Sequence, residues 1–484
     1  MGAIDLLQIN THVVDILGNV KGRDQPIMLM SKALELTSYF DDSIFLDDDT
    51  VFFDPFCKAG ELLLACAFTT CFKKNDSQIM DLSKIQDELY KSKRYYALSP
   101  DERHHKISLR TFLGNENSHD EHLSRVMRNG NYVSEEDGTL NKEAFTKEFI
   151  DMLDFIKKDS GKKRIVAIGN PPYQESDGGF GKSAKNIYHY FTEALIKNES
   201  IDEFVLVIPA RWFVGGKGLK DFRENMMETN HLKNLKYFNK ANSVFPSVDI
   251  NGGICFVNYD KKFEGETTFS DESHTVSVNF SEFDVISDDP NGFSIIRKVL
   301  KKWDDKFVGN VAWARKAYGI STNYFKLNDS LDKSSPNAVA CLSAGEKTLY
   351  IDREDILKNQ DSIEKWKVSV PKVAGGSKGK RRSTVPLNKI LLLEPGMVTT
   401  ETYNIISVFD TKKEALNFQN FLKTDFARYM IGLRKITQDV PADRWNWVPF
   451  MDTKKTWNDE ELYKYFAISK KEIKHIESKL EDWT

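Results

Sequence analysis

The residues best suited to chemistry are Asn170, Pro171, Pro172 and Tyr173, which directly follow the apolar run Ile165–Ile168 and one glycine. The side-chain oxygen of Asn170 and the backbone oxygen of Pro171 are two neighbouring hydrogen-bond acceptors, which suit a planar exocyclic NH2 group. Tyr173 adds an aromatic face on which a flat heterocycle can stack. The segment therefore predicts recognition of an amino-substituted heterocycle, and an ordinary proline turn is the alternative interpretation.

A strand must position this segment. Ile165–Ile168 has the composition of a buried strand. Two consecutive prolines cannot continue a sheet ladder, so the chain leaves the sheet as a stiff loop at the carboxyl end of that strand. In an open α/β sheet, ligands bind at this edge. We therefore expect residues 170–173 to face a ligand crevice.

A second junction lies earlier in the chain, where the sequence reads DPFCKAGELLLACA. Val51–Phe53 predicts a short strand, Asp54–Gly60 a loop, and Glu61–Phe72 a buried helix. Gly60 permits close approach of a ligand to the backbone, and the new helix offers unpaired N–H groups. This pattern is typical of loops that hold a nucleotide-like cofactor, although an ordinary strand-to-helix turn has the same composition.

The NPPY segment after an apolar strand resembles the catalytic motif of the S-adenosylmethionine-dependent N6-adenine DNA methyltransferases. The resemblance implies that Asn170, Pro171, Pro172 and Tyr173 form the catalytic loop. Asn170 and the Pro171 carbonyl would hold the adenine N6, and Tyr173 would stack on the flipped base. Similar tetrapeptides also serve methyltransferases that act on glutamine or on RNA.

The loop before the Glu61–Phe72 helix resembles the first cofactor motif of the same family, DPxxGxG. This resemblance implies that S-adenosylmethionine is bound by five of its residues, Asp54, Pro55, Phe56, Cys57 and Gly60. Lys58 stands where the middle glycine of the motif is typical. From that difference we expect Lys58→Gly to be tolerated.

Two further cofactor residues follow from the resemblance. Asp101 is the nearest acid after the predicted strand Tyr95–Leu98 and would bind the ribose hydroxyls, with a helix N-cap as the alternative role. Pro26 stands where a further cofactor motif precedes the Asp54 loop, and it could equally begin a helix that only packs. The order of these motifs resembles the gamma arrangement of adenine methyltransferases, with target recognition at the C-terminal end.

The chain alternates short apolar runs with helical patterns as far as about residue 262, after which the pattern changes. Strands that alternate with helices predict a mainly parallel sheet. With the resemblance, this predicts an α/β, Rossmann-like methyltransferase domain over residues 1–280 and a C-terminal mixed α+β target-recognition domain over 281–484. Residues 114–164 are expected to be loop-rich apart from one helix near 142–158.

A basic segment lies in the C-terminal part of the chain. Lys365–Lys389 contains eight basic residues and no acidic residue. A basic, glycine-rich loop suits phosphate contact along a duplex, and a solvated charged loop is the alternative. The later stretch GLRKITQDV resembles recognition regions of such methylases. The predicted DNA-binding residues are Lys378, Lys380, Arg381, Arg382, Arg434 and Lys435.

Composition limits the remaining classes. The net charge of −4 argues against a globally basic nucleic-acid binder, but it allows a local basic face. The chain has no run of eighteen apolar residues and no signal-peptide pattern, so we expect no membrane partner. The five cysteines lack the paired spacing of a zinc site, so we predict no metal and a cytoplasmic location.

The function implied by the resemblance is site-specific transfer of a methyl group from S-adenosylmethionine to the N6 amino group of adenine in duplex DNA. The setting would be a restriction-modification system, and the partners would be double-stranded DNA and a separately encoded restriction endonuclease. Two other functions stay open: a non-catalytic DNA-recognition subunit, and a methyltransferase that acts on RNA or protein. Because the cofactor motifs begin near residue 1, we expect no N-terminal nuclease in this chain.

Overall fold

The computed structural model describes residues 28–75, 82–113, 127–134, 138–175, 185–216, 218–246, 250, 252–373, 387, 389–435 and 439–480. The chain divides into two compact units between Asp284 and Val285. None of the helices in these described ranges is long and apolar enough to span a membrane.

The first unit is built on one large sheet, which within the described residues has nine strands in the order β11-β10-β8-β9-β7-β4-β1-β2-β3. A separate short hairpin pairs β5 with β6. The strands are β1 (Thr50–Asp54), β2 (Tyr95–Ser99), β3 (Met127–Asn129), β4 (Arg164–Gly169), β5 (Gln174–Glu175), β6 (Lys185–Asn186), β7 (Glu203–Pro209), β8 (Leu232–Phe238), β9 (Ile254–Asp260), β10 (Thr267–Ser270) and β11 (Thr275–Val278).

Parallel pairing runs through the centre of this sheet, from β3 through β2, β1 and β4 to β7. The central strands β1, β2 and β7 are buried along their whole length, which is why they appear in the sequence as continuous apolar runs rather than alternating patterns. β9 is antiparallel to both β7 and β8. The predicted α/β class with a mainly parallel sheet is confirmed.

The strand order creates a topological switch point between β1 and β4. β2 and β3 follow β1 on one side, whereas β4 pairs with the other side of β1, with Phe53 opposite Ala167. Where the winding reverses in this way, the loops at the carboxyl ends of the two strands diverge and leave a crevice. The loops that follow Asp54 and Gly169 therefore border this crevice.

Three strands of the nine-stranded sheet were not predicted, because each is short and polar, and the two-residue strands β5 and β6 were not predicted either. β3 lies within residues 114–164, which the sequence predicted to be loop-rich apart from one helix, and it carries Arg128 at the sheet edge opposite Leu98. β10 and β11 lie in the acidic, Ser/Thr-rich stretch that follows the predicted strands. β3 and β11 are the edge strands of this sheet, which in natural proteins are commonly short and polar, and β10, between β11 and β8, has only four residues, so the apolar signal of all three is weak.

Helices connect these strands. The Lys142–Ser160 helix shows how the sequence sets their limits: the Asn141 side chain accepts a hydrogen bond from the Ala144 N–H, and Gly161 ends the helix with a φ of 66°. Within the described residues, the α-helices of this unit are Met30–Thr37, Asp42–Leu46, Glu61–Lys74, Leu82–Lys91, Glu102–Leu113, Lys142–Ser160, Tyr188–Lys197 and Lys220–Glu228.

The second unit combines helices with two small sheets, in the strand orders β13-β12-β16 and β15-β14-β17. Its strands are β12 (Ala338–Ser343), β13 (Lys347–Asp352), β14 (Trp366–Pro371), β15 (Leu391–Leu393), β16 (Met397–Thr399) and β17 (Tyr403–Phe409). Its α-helices are Gly292–Lys302, Val308–Val311, Tyr324–Leu327, Lys412–Lys423, Asp425–Gly432, Asp459–Tyr465 and Lys470–Lys479. This is the predicted mixed α+β architecture.

Candidate active site

Four loops meet at the carboxyl ends of the parallel strands β1, β2, β3 and β4. They contain residues 54–60, 99–101, 129–132 and 170–173. Hydrogen bonds join the first three: the Cys57 N–H donates to the Leu98 carbonyl at 3.1 Å, and the Gly130 N–H donates to the Ser99 carbonyl at 2.8 Å. The Tyr132 hydroxyl, which is fully buried, donates to the Pro55 carbonyl at 2.7 Å.

The loop after β1 and the start of the next helix each contain a buried, hydrogen-bonded carboxylate. Asp54 is buried, and its carboxylate accepts a hydrogen bond from the Phe56 N–H at 2.9 Å. Burial raises the pKa of Asp54 well above its ordinary value. Gly60 has a φ of 81°, a left-handed conformation that favours glycine, and it begins the Glu61–Lys74 helix. Glu61 is also buried, and it accepts a hydrogen bond from the Met28 N–H at 3.2 Å.

The loop after β4 packs against the loop after β1. A Cβ atom added at Gly169 would lie 2.6 Å from Cδ2 of Phe56, so no larger residue fits there without movement. Asn170 follows and is 2% exposed. The predicted catalytic segment therefore leaves the sheet in direct contact with the predicted cofactor loop, and Pro171 and Pro172 are buried there.

Tyr173 is anchored on both its backbone and its side chain. Its carbonyl accepts a hydrogen bond from the Ile187 N–H at 3.0 Å, and its hydroxyl donates to the Val207 carbonyl at 3.3 Å. The edge of its ring meets Phe245 at 6.5 Å between ring centroids. These contacts fix the orientation of the aromatic face.

Lys58 belongs to the loop after β1, and its side chain lies beside the loop after β4, at a position where the sequence showed only a missing glycine. Its side chain is buried, and its Nζ lies 5.9 Å from the centre of the Tyr173 ring. Burial lowers the pKa of Lys58 to about 7, whereas Glu61, Asp54 and Asp101 act in the opposite direction. The side chain thus lies among the residues of the site, and the tolerance of Lys58→Gly stays a prediction.

Asp101 fills the alternative role that the sequence left open for it. One carboxylate oxygen accepts a hydrogen bond from the His104 N–H at 2.8 Å, and the other lies 2.6 Å from Nδ1 of the same residue. Asp101 thus caps the Glu102–Leu113 helix. Ser99, at the end of β2, is fully buried, and its hydroxyl has no hydrogen-bond partner among the described residues.

The loop after β3 is a part of the site that sequence reasoning missed. Asn131 has a positive φ of 46°, and its N–H donates to the Asn129 side chain at 3.0 Å. A cavity of about 590 Å³ adjoins this loop, lined by residues 131–134 and 139–143. The available signal was the Asn-Gly-Asn sequence after Met127, which is typical of a turn that follows a strand.

Several predicted residues are not brought to this site. Pro26 and the four basic residues Lys378, Lys380, Arg381 and Arg382 lie outside the described residues. Arg434 and Lys435 are each 2% exposed. The Arg434 guanidinium stacks 4.6 Å above the Trp447 ring, and its Nε donates to the Asp443 carbonyl at 3.0 Å. Their burial does not support the predicted DNA contact.

Other charges of the basic segment are also used within the protein. Lys365 pairs with Asp410 at 3.1 Å, and Lys372 pairs with Glu401 at 3.0 Å. Lys367 is fully buried, and its Nζ donates to three backbone carbonyls. Lys389 forms an ion pair with Glu346. The count of eight positive charges therefore overstated the charge that this segment offers to DNA.

Comparison with known proteins identifies a family match that contains part of these loops. Residues 77–245 match the family model of the Eco57I restriction-modification methylases. The chain resembles the adenine-specific methylases. The match contains β3, β4 and the segment Asn170–Tyr173, so the resemblance stated from that segment is confirmed.

One curated relative is described as an uncharacterized adenine-specific methylase of Mycoplasma pneumoniae. It is 26% identical over 174 residues, which are 33% of this chain and 40% of the relative. The matched part thus spans less than half of that relative.

Two solved structures are similar at low identity. A nuclease-deletion mutant of the Type ISP restriction-modification enzyme LlaGI, in complex with a DNA substrate mimic, is 12% identical. Its match covers 98% of this chain and 48% of that chain, with a TM-score of 0.45. The ATP-dependent Type ISP enzyme LlaBIII bound to DNA is 11% identical and has a TM-score of 0.43, with 99% of this chain and 42% of that chain covered.

Proposed function

We propose that this protein is a site-specific DNA methyltransferase that transfers a methyl group from S-adenosylmethionine to N6 of adenine in duplex DNA, within a restriction-modification system. The observation that carries the proposal is the contact between Gly169 and Phe56 at the switch point of the sheet. It joins the Asn-Pro-Pro-Tyr loop to the Asp54 loop, so a base and a methyl donor bound to these loops would be neighbours.

The Asp54 loop fits S-adenosylmethionine as the donor. The ligand carries a sulfonium and an ammonium, and two buried carboxylates, Asp54 and Glu61, lie in this loop and at the start of the next helix. Burial raises the pKa of both carboxyl groups, and a cationic ligand beside them would favour their ionised form, so the pair and the cation would stabilise each other. Asp54, Phe56, Cys57 and Gly60 would hold the donor, which supplies an electrophilic methyl group when bound.

The Asn170 loop fits the acceptor. The Asn170 side-chain oxygen and the Pro171 carbonyl can accept both hydrogen bonds of a planar NH2 group, which orients the nitrogen towards the donor. The two residues are buried, so water is excluded from this point. Because a base in a duplex cannot reach such a loop, the adenine must flip out of the stack, and Tyr173 offers it an aromatic face.

DNA binding through Lys378, Lys380, Arg381 and Arg382, with target recognition by residues 281–484, is part of this proposal. It rests on the concentration of basic residues in the sequence and on the chemistry of phosphate contact. A separately encoded endonuclease would complete the restriction-modification system.

Transfer of radiolabelled methyl groups tests the proposal. The purified full chain is incubated with labelled S-adenosylmethionine and with duplex DNA, RNA or a protein mixture, and Asn170→Ala is the matched control. We expect label in duplex DNA only, recovered after digestion as N6-methyl-2′-deoxyadenosine, and none with Asn170→Ala. Label in RNA or protein would show that the substrate is RNA or protein and not DNA. Binding of DNA without any methyl transfer would indicate a non-catalytic recognition subunit.

A further inference from the structure

The buried amine of Lys58 has no anionic partner among the residues that the structure describes. Lys58 is 2% exposed and its Nζ lies 5.9 Å from the centre of the Tyr173 ring, yet within the part of the chain that the structure describes it makes no hydrogen bond and no ion pair within 4.0 Å. Glu61, Asp54 and Asp101 are near enough to influence its charge but do not pair with it. A buried ammonium is costly unless it is paired and hydrogen-bonded, so this arrangement calls for an anionic partner.

The position of Lys58 limits what that partner can be. It precedes the Glu61–Lys74 helix by three positions in the loop that ends at Gly60, and no side chain caps that helix at its N-cap residue. An anion is stabilised near a helix N-terminus. The ammonium of Lys58 and the buried carboxylates of Asp54 and Glu61 thus lie near one another. Together they suit a ligand that carries both a negative and a positive charge.

We propose that Lys58 binds the carboxylate of the methionine end of S-adenosylmethionine, while Asp54 and Glu61 face its ammonium. This inference rests on the proposed function. The methionine end carries an ammonium and a carboxylate on one carbon, and the carboxylate is the only anionic group of the molecule. Lys58 would then replace, with a charged side chain, the backbone contacts that a glycine would allow.

The competing explanation is that Lys58 is a structural counter-ion for Glu61 and Asp54. The two explanations differ in one measurable respect. A counter-ion would matter equally for every ligand of the loop, whereas a carboxylate partner would matter only for ligands that have a carboxylate. Decarboxylated S-adenosylmethionine keeps the sulfonium and the amine, so it separates the two.

Calorimetry with the full chain provides the test. Wild type, Lys58→Met and Lys58→Arg are titrated with S-adenosylmethionine and with its decarboxylated analogue. We expect Lys58→Met to weaken binding of the intact molecule about tenfold to hundredfold, as loss of a hydrogen bond to a charged group does, and to change binding of the analogue less than about twofold. Lys58→Arg should recover part of the loss.

Lys367→Met is the matched control, because Lys367 is a fully buried lysine of the second unit and likewise has a pKa that burial lowers, to about 8. It should change the affinities for both ligands equally or not at all. An equal loss for both ligands in Lys58→Met, or no loss, would overturn the inference. If that variant does not fold, wild type decides: equal affinity for the two ligands would show that no side chain reads the carboxylate.

The outcomes also separate this inference from the proposed function. If wild type binds S-adenosylmethionine and methylates DNA but the selective loss is missing, only the role of Lys58 is wrong. If wild type binds neither ligand and labels no DNA, the proposed function falls and the role of Lys58 falls with it.

Discussion

Gly169→Ala should separate the two loops of the site. The added methyl would lie 2.6 Å from Cδ2 of Phe56 and 3.3 Å from Cδ2 of Leu206, whereas carbon atoms in contact prefer about 3.5–4.0 Å. Phe56 cannot easily retreat, because it is 1% exposed and its ring packs against Phe145 and Phe191 at centroid distances of 6.2 and 5.1 Å. One loop must therefore move by about 1 Å.

The magnitude follows from that overlap. Inserting a methyl into a packed core costs about 1–3 kcal/mol, which lowers the unfolding midpoint by roughly 2–12 °C for a domain of this size. Because Asn170 is the next residue, a displacement of this kind should reduce methyl transfer by about a hundredfold. Thermal unfolding and methyl transfer are measured on the same preparations.

Two further variants isolate the contact. Gly265→Ala is the matched control, because Gly265 is exposed and the three atoms nearest to its added methyl all belong to the Phe263 ring, the closest at 3.1 Å. In a Phe56→Ala background the new methyl enters space that the ring has vacated. The loss of unfolding free energy caused by Gly169→Ala should therefore be at least about 1 kcal/mol smaller in that background than in wild type. If Gly169→Ala behaves like Gly265→Ala in both assays, the Phe56 contact does not position the catalytic loop.

Three other predictions follow from the same loops. Asn170→Ala should lower methyl transfer below detection while it shifts the unfolding midpoint less than Gly169→Ala does; retained transfer in the labelling assay would contradict its role. Tyr173→Ala should weaken capture of the flipped base by about 1–3 kcal/mol, read from a fluorescent base analogue, whereas Tyr173→Phe loses only the bond to Val207, worth about 1 kcal/mol. Lys58 has a pKa of about 7 in the folded protein, below its ordinary value of 10.5. Between pH 7 and pH 10.5 the unfolded chain therefore binds more protons than the folded protein does, so the free energy of unfolding rises with pH over this range. Relative to Lys58→Met, wild type should gain up to about 1.4 kcal/mol per pH unit above pH 7 in urea unfolding, and a flat difference would contradict the buried amine.

The sequence alone determined the elements with strong local signals. Ile165–Ile168 is a continuous apolar run and two prolines end it, so both the buried strand and the loop at its carboxyl end follow from short-range chemistry. The same holds for the strand, loop and helix around Asp54–Gly60. The strands β3, β10 and β11 escaped prediction, because each has only three or four residues and few apolar side chains, so its apolar pattern is too short to recognise.

Only the tertiary structure decided which side chains share a site. The burial of Arg434 against Trp447 and the placement of Lys58 beside Tyr173 depend on residues that are distant in the chain, and no local pattern of charge or spacing contains such contacts. From the sequence alone, Asp101 could be either a cofactor ligand or a helix cap. Its hydrogen bonds to His104 show that it caps the helix. The need for glycine at position 169 likewise arises from Phe56, because a steric limit exists only once two loops have packed together.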